Sequence, residues 1–201
     1  MILEGIVTTL NRTGRLNVAP MGPVVDTEMR RFLLRPFRTS TTYANLKETG
    51  VGVLHVTDDV LLLARAAIGQ PVSPATRPAK VVEGKILEDA CRYFEFRVVE
   101  TDDRSERATF VAETVAEGRL RDFFGLNRGK HAVVEAAILA TRVGILPIQD
   151  ILEDYRRLAP LVEKTGGDAE HEAFRLLTRY VENAVQVGES GGSGIESKSR
   201  E

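Results

Sequence analysis

The segment Arg35-Pro36-Phe37-Arg38-Thr39-Ser40-Thr41-Thr42-Tyr43-Ala44-Asn45 carries the densest local chemistry in the sequence. Two arginines flank a run of hydroxyl residues at the start of a predicted helix. A helix N-terminus offers unpaired amides and a partial positive charge. Hydroxyls add donors, and a guanidinium grips phosphate with two parallel hydrogen bonds. Together these groups describe a phosphate cradle. The same residues also suit an ordinary capped helix with a solvated basic face, and composition leaves both readings open. The second segment is Asn17-Val18-Ala19-Pro20-Met21-Gly22-Pro23. An extended backbone of small residues and prolines can lie flat against a planar ring, with Asn17 meeting its polar edge. A plain strand end with a proline turn is the alternative there.

Other chemistries find little support. The three histidines, His55, His131 and His171, show no i, i+4 spacing and no cysteine neighbours, so no metal site is expected. Cys91 sits beside Ala90 and Tyr93 and reads as a small buried hydrophobe. There is no GxSxG elbow and no P-loop, and Gly50-Val51-Gly52 enters a strand rather than a helix. No catalytic residue is assigned. With 27 basic and 29 acidic residues, the formal charge of −2 argues against a nucleic-acid binder. No apolar run approaches the roughly 18 residues of a membrane span, and residues 1–5 lack a signal peptide's features. A single cysteine fits a reducing, cytoplasmic setting.

The elements that must position these residues follow from periodicity. Residues 2–10 favour a strand, 11–14 a turn, and 15–19 a returning strand that Pro20, Gly22 and Pro23 interrupt. Phe32 and Leu34 alternate with Arg31, Leu33 and Arg35 over 29–35. A helix spans about 41–48 with Gly50 as its stop, then a strand covers 51–57. A second helix lies within 58–68, capped by Asp58 or Asp59. Prolines at 71, 74 and 78 make 69–80 a loop. Phe94, Phe96 and Val98 alternate with Glu95 and Arg97 in a long hairpin. Its partner strand covers 110–115, and Asp102–Glu106 form its solvated tip. From 127 the period turns helical. The helix over 129–143 is apolar nearly all round, so Glu135 and Arg142 need partners if buried. Pro147 opens the next helix, Pro160 should kink or end it, and Asp168 caps the last. The division is a β-barrel-like domain over 1–125, a helical subdomain over 126–187 and a disordered tail over 188–201.

The two chemical segments, in this order and spacing, resemble the FMN-binding split-barrel superfamily in its flavin-reductase-like branch. There an Asn-x-Ala-Pro strand end lies by the isoalloxazine, and a Ser/Thr-rich segment ending in Thr-x-x-Asn holds the phosphate and ribityl chain. A resemblance over nearly the whole chain is to an uncharacterised archaeal and bacterial family joining a split barrel to a C-terminal helical extension. The run Asn127-Arg128-Gly129-Lys130-His131, continuing to Arg142, carries that likeness. His55 stands where flavin reductases often have Asn, so it faces either the flavin or the core.

The resemblance implies an α+β fold, a split β-barrel with a C-terminal helical subdomain. It implies an FMN flavoprotein, an oxidoreductase of unknown substrate, with FMN near a homodimer interface. The phosphate would rest on Arg35, Arg38, Thr39, Ser40, Thr41 and Thr42, with Asn45 at the ribityl or phosphate end. Asn17, Ala19, Pro20 and Met21 would line the ring. Asn127 and Arg128, with Lys130 and His131, would line the cofactor pocket or hold an anionic substrate, because basic residues are otherwise unfavourable at a helix N-terminus; ordinary capping with a basic surface is the alternative. The rival is a non-catalytic protein that carries FMN or another small phosphate-bearing ligand.

Overall fold

A computed structural model describes residues 1–192, with side chains to residue 186. The chain divides into two compact units, Met1–Gly125 and Leu126 onward. The first is built on strands β1 (Gly5–Leu10), β2 (Leu16–Met21), β3 (Val24–Val25), β4 (Arg31–Leu34) and β5 (Val51–Val56). β6 (Thr76–Pro78), β7 (Lys85–Leu87), β8 (Arg92–Asp102) and β9 (Thr109–Arg119) follow. Helices α1 (Thr41–Thr49) and α2 (Val60–Ala67) are inserted before and after β5. Seven strands pair antiparallel in the order β2-β1-β5-β8-β9-β4-β3, and β6-β7 form a separate ribbon. The result is a mixed α+β unit around a curled antiparallel half-barrel.

Pro20 does not interrupt β2. It pairs with Ile6 across the ladder. β2 is an edge strand, where a residue without an N–H is tolerated if its nitrogen faces outward. The loop expected over 69–80 also needs correction, because Thr76–Pro78 pair with Lys85–Leu87.

The sheet buries both faces. On the inner face Val7, Phe32, Leu34, Leu54, Phe94 and Phe110 pack with Leu46 of α1. On the outer face Val51, Val53 and Tyr93 pack under Val82 and Ile86. Segment 79–87 is therefore a lid on the outer face, and three buried polar side chains fasten it. Thr8 Oγ1 donates to the Lys85 carbonyl at 2.6 Å. His55 accepts from the Leu87 amide. Glu95 accepts from the amides of Lys80, Val81 and Val82 at 2.7–3.1 Å.

Glu95 alternates with Phe94 and Phe96 as the sequence predicts, but it does not meet solvent. The outer face is covered, and Glu95 is fully buried. A buried carboxylate is costly unless charge-assisted hydrogen bonds replace its water. The three amides supply them.

The second unit holds α3 (Arg128–Ala140), α4 (Ile148–Thr165) and α5 (Asp168–Gly192). Small residues, Ala132, Ala136, Ala137 and Ala140, bury one side of α3 against Ile151, Tyr155, Leu177 and Val181. Tyr155 Oη donates to the Ala136 carbonyl at 2.6 Å. Burial pushes its phenol above the ordinary range. Pro160 lies inside α4 and does not end it. α3 stops at Ala140, so Arg142 lies beyond it, and both Glu135 and Arg142 are exposed and need no buried partner. The tail expected from 188 falls partly within α5 and otherwise, from 193, outside the described residues.

Replacing Glu95 with Ala strands three amides under the lid. Glu95→Ala is expected to lose about 2–4 kcal/mol of stability in urea titration. Glu95→Gln, which keeps one acceptor oxygen, should lose less. An unchanged midpoint in Glu95→Ala would show that the lid does not depend on the carboxylate.

Candidate functional site

Helix α1 begins where the sequence places its capping residues. Ser40 is extended and its Oγ accepts from the Tyr43 amide while donating to the Phe37 carbonyl. The Tyr43 amide is thereby removed from the set available to a ligand. At the other end Gly50 adopts φ 66°, the left-handed turn that glycine reaches without strain. The helix directs Thr42, Asn45 and Leu46 inward.

A small polar network sits beneath the helix. Thr9 Oγ1, on fully buried β1, accepts from Asn45 Nδ2 at 2.9 Å and from Asn17 Nδ2 at 3.3 Å. Asn17 Nδ2 also donates to Thr42 Oγ1 at 3.0 Å. The network ties α1 to β1 and β2, so the two segments singled out in the sequence meet in space. Asn17 joins Thr42 and Asn45, and Ala19, Pro20 and Met21 continue half-buried along the same edge strand.

The outward side of this region is basic. Arg35, Arg38, Thr39 and Thr41 are exposed around the helix start. Arg35 and Arg38 form no ion pair among the described residues, although Arg38 lies close enough to Asp103 to stabilise its charge. The backbone beside them is fixed, because the Arg38 amide donates to the Glu106 carbonyl and the Ala108 amide to Pro36. Arg107 stacks its guanidinium 3.9 Å from the centre of the Phe37 ring.

The hairpin tip is not merely solvated. Asp103 Oδ2 accepts from Lys47 Nζ at 2.8 Å and from Tyr43 Oη at 2.9 Å. The hydrogen bond from Lys47, then that from Tyr43, hold its carboxyl below the usual carboxylate range. Its hydrogen bonds go to Lys47 and Tyr43, and Arg38 acts on it only through space.

Two family models match the chain. One, described as the N-terminal domain of a protein of unknown function (DUF447), covers residues 3–121. The other, described as a protein of unknown function (DUF447), covers 127–179. The chain belongs to the DUF447 family. An FMN-bound DUF447 protein from Methanosarcina mazei is similar, with 25% identity and a TM-score of 0.78. The match covers 89% of this chain and 94% of that one. A 2-nitrobenzoate 2-nitroreductase from Pseudomonas fluorescens shares the barrel at 20% identity and a TM-score of 0.50, over 58% of this chain and 64% of that one. A flavin reductase complexed with NADP+ does so at 22% identity and a TM-score of 0.52, over 61% and 81%. The latter two likenesses concern fold alone; the FMN-binding split-barrel fold rests on the M. mazei structure. No curated protein matches the chain.

The DUF447 barrel answers the question of His55. It faces the core under the lid, fully buried. Nε2 accepts the Leu87 N–H, so Nδ1 carries the proton and donates to the Ile6 carbonyl at 3.1 Å. Burial, against the pull of that carbonyl, lowers its pKa to about 4.

The run from Asn127 has a structural account within the DUF447 helical unit. Asn127 Oδ1 caps α3 at the Lys130 amide, and Nδ2 reaches the Thr165 carbonyl. A Cβ on Gly129 would lie 2.9 Å from Gly166 Cα, so only glycine permits that approach. Lys130, unfavourable at a helix start, pairs with Glu170 at 2.7 Å. Burial opposes the Glu170 charge, but Lys130 and the Gly167 amide outweigh it and lower its pKa. Arg128 is exposed. Asn127 and Arg128 thus lie in the second unit, and the convergence seen around Thr9 involves barrel residues.

Among the described residues no His, Cys, Asp or Glu group has the makings of a metal site. No described helix is long and apolar enough to cross a membrane.

The sequence reading missed Thr9, Glu95 and Asp103. Thr9 had a weak signal in the Thr8-Thr9 pair, a polar pair inside an otherwise apolar strand.

Two measurements follow. Thr9→Val keeps shape but strands the Asn45 amide and leaves Asn17 only Thr42, so it should cost about 1–3 kcal/mol in thermal or urea unfolding. An equal stability would show that Thr9 does not bind the network together. For His55, the unfolded ring titrates near 6.5 and the folded ring near 4. Protons therefore favour the unfolded chain, and stability falls as pH drops from 6.5 towards 4, by roughly 2–3 kcal/mol. His55→Gln cannot titrate, so its melting temperature should vary less over that range. Parallel profiles for the two proteins would refute the assignment.

Proposed function

We propose that the chain binds FMN at the start of α1 and works as a flavin-dependent oxidoreductase, with FMN near a homodimer interface. The observation that carries the reading is the network on Thr9. It draws Asn17 and α1 together in a chain whose M. mazei relative is FMN-bound.

The residues fit the cofactor. FMN carries a dianionic phosphate, a flexible ribityl chain and a planar ring. Arg35 and Arg38 supply unpaired guanidiniums, and Thr39 and Thr41 supply exposed hydroxyls at a helix N-terminus. Ser40, Thr42 and Asn45 are used within the protein, so their part is to hold the cradle's shape. Asn45 sits at the inner end of the ribityl path. Asn17, Ala19, Pro20 and Met21 form the edge along which the ring lies. Asp103 keeps Lys47 occupied and leaves Arg38 to the phosphate.

When bound, FMN supplies hydride and single-electron transfer, and the protein's share is position and electrostatics. The α1 dipole and the two arginines favour anionic groups at this end. The buried network keeps the helix start from shifting when the phosphate arrives.

FMN titration followed by fluorescence quenching tests the reading. The wild-type chain should take up FMN and keep flavin absorbance through desalting. Arg38→Ala should weaken binding by about 1–3 kcal/mol, the range for a charge-assisted hydrogen bond. Unchanged affinity in the folded variant removes Arg38 from the phosphate. A chain that takes up no FMN overturns the proposal. A chain that binds FMN but passes no electrons from any donor is a carrier, the second reading of this site.

A further inference from the structure

The tip of the β8–β9 hairpin brings a third arginine beside the start of α1. Phe37 and Arg107 form an antiparallel bridge that prolongs the β4–β9 ladder. The Ala108 amide donates to Pro36 and the Arg38 amide to Glu106, one on each side of that bridge. Bridged residues share a face of the sheet, and the Arg107 guanidinium sits 3.9 Å from the centre of the Phe37 ring. The register that pairs Leu34 with Phe110 sets Arg35 opposite Thr109, diagonal to Arg107 on the same face. Long side chains reach across such a diagonal. Arg35 and Arg107 are both exposed, and neither forms an ion pair among the described residues. The nearby carboxylates are engaged or face away. Asp102 stands across from Thr109 and takes hydrogen bonds from Arg104 at 2.9 and 2.6 Å. Asp103 is held by Lys47 and Tyr43. Glu106 precedes Arg107 in extended chain, so its side chain projects to the other face.

We infer that Arg107 binds the FMN phosphate together with Arg35, as a residue that the hairpin tip contributes to the cradle. The inference rests on the reading of α1 as the FMN site. Two guanidiniums flanking one ring on the same face repel each other, and an anion between them turns that repulsion into attraction for both. A phosphate dianion suits them, because each guanidinium offers it a pair of parallel donors. Stacking on Phe37 restricts the Arg107 guanidinium beforehand, so less freedom is lost when it meets the ligand. The first amides of α1 have no carbonyl of the helix to bind and meet the same anion from the other direction. The pairing of 36–38 with 106–108 fixes the spacing between these two sources of positive charge. The hairpin is thus part of the site, although it lies far along the chain from the segment that begins it.

Titration of the full-length chain with FMN and with riboflavin, followed by fluorescence quenching, tests it. The two flavins share the ring and the ribityl chain, and riboflavin lacks the phosphate. Arg107→Ala should weaken FMN about tenfold to a hundredfold, the loss of a charge-assisted hydrogen bond, and should leave riboflavin unchanged. Arg107→Lys keeps the charge without the paired donors and should fall in between. Where riboflavin binds too weakly to titrate, the salt dependence of FMN binding replaces it, and should be shallower in Arg107→Ala than in the wild type. FMN affinity unchanged in Arg107→Ala, an equal loss of FMN and riboflavin, or an unchanged salt dependence overturns the inference. Arg38→Ala separates this failure from failure of the site. Affinity lowered by Arg38→Ala and not by Arg107→Ala leaves FMN at α1 and removes Arg107 alone. A wild-type chain that takes up no FMN removes both.

Discussion

Two adjacent threonines face opposite ways from a strand that water does not reach. Thr8 and Thr9 lie within β1, every residue of which is buried. Successive residues of a strand project to opposite faces. Thr8 therefore meets the outer lid through the Lys85 carbonyl, and Thr9 meets the inner helix through Asn17 and Asn45. A buried hydroxyl without a partner costs more than the bond it would make is worth in water. Each threonine therefore requires its own layer to be in place. The lid and the helix carrying the candidate site are registered to one another through two neighbouring residues.

The lid uses polar fasteners where an apolar plug would also have filled space. Glu95 carries its charge into the sheet and binds three successive amides, and His55 bridges the Ile6 carbonyl and the Leu87 amide. Apolar contacts are non-directional and tolerate sliding by a residue. Amides bound at fixed distances do not. The segment has only a three-residue ribbon of its own, so its register comes from these side chains.

Much of the barrel was legible in the sequence because its signals are local. The Ser40 cap, the Gly50 stop and the alternation of Phe32 with Leu34 each depend on a few neighbouring residues. Asn17 and the Arg35–Asn45 segment stood out by residue type, and they do converge through Thr42 and Thr9. The failures have one cause. Alternation at Glu95 says which way a side chain points, not what lies over that face. What lies there comes mostly from the segment after the 69–80 loop, to which the sequence analysis assigns no element. Lys130 misled in the same way. It looked out of place at a helix start because Glu170, which neutralises it, stands forty residues away. Long-range polar partners leave no periodicity to read.

The sheet's two borders bear on whether further strands can add to it. Open strand edges invite further strands, and this is how many β-proteins begin to aggregate. Here one border, β2, carries Pro20, which has no N–H to offer an incoming chain. The other, β3, is two residues long, and Met1–Leu3 already pair along its outer side. Neither border offers a long run of hydrogen-bonding groups. A barrel that must stay curled, with one face clasped to a helix, is thereby spared the growth into fibrils that a flatter, longer-edged sheet would risk.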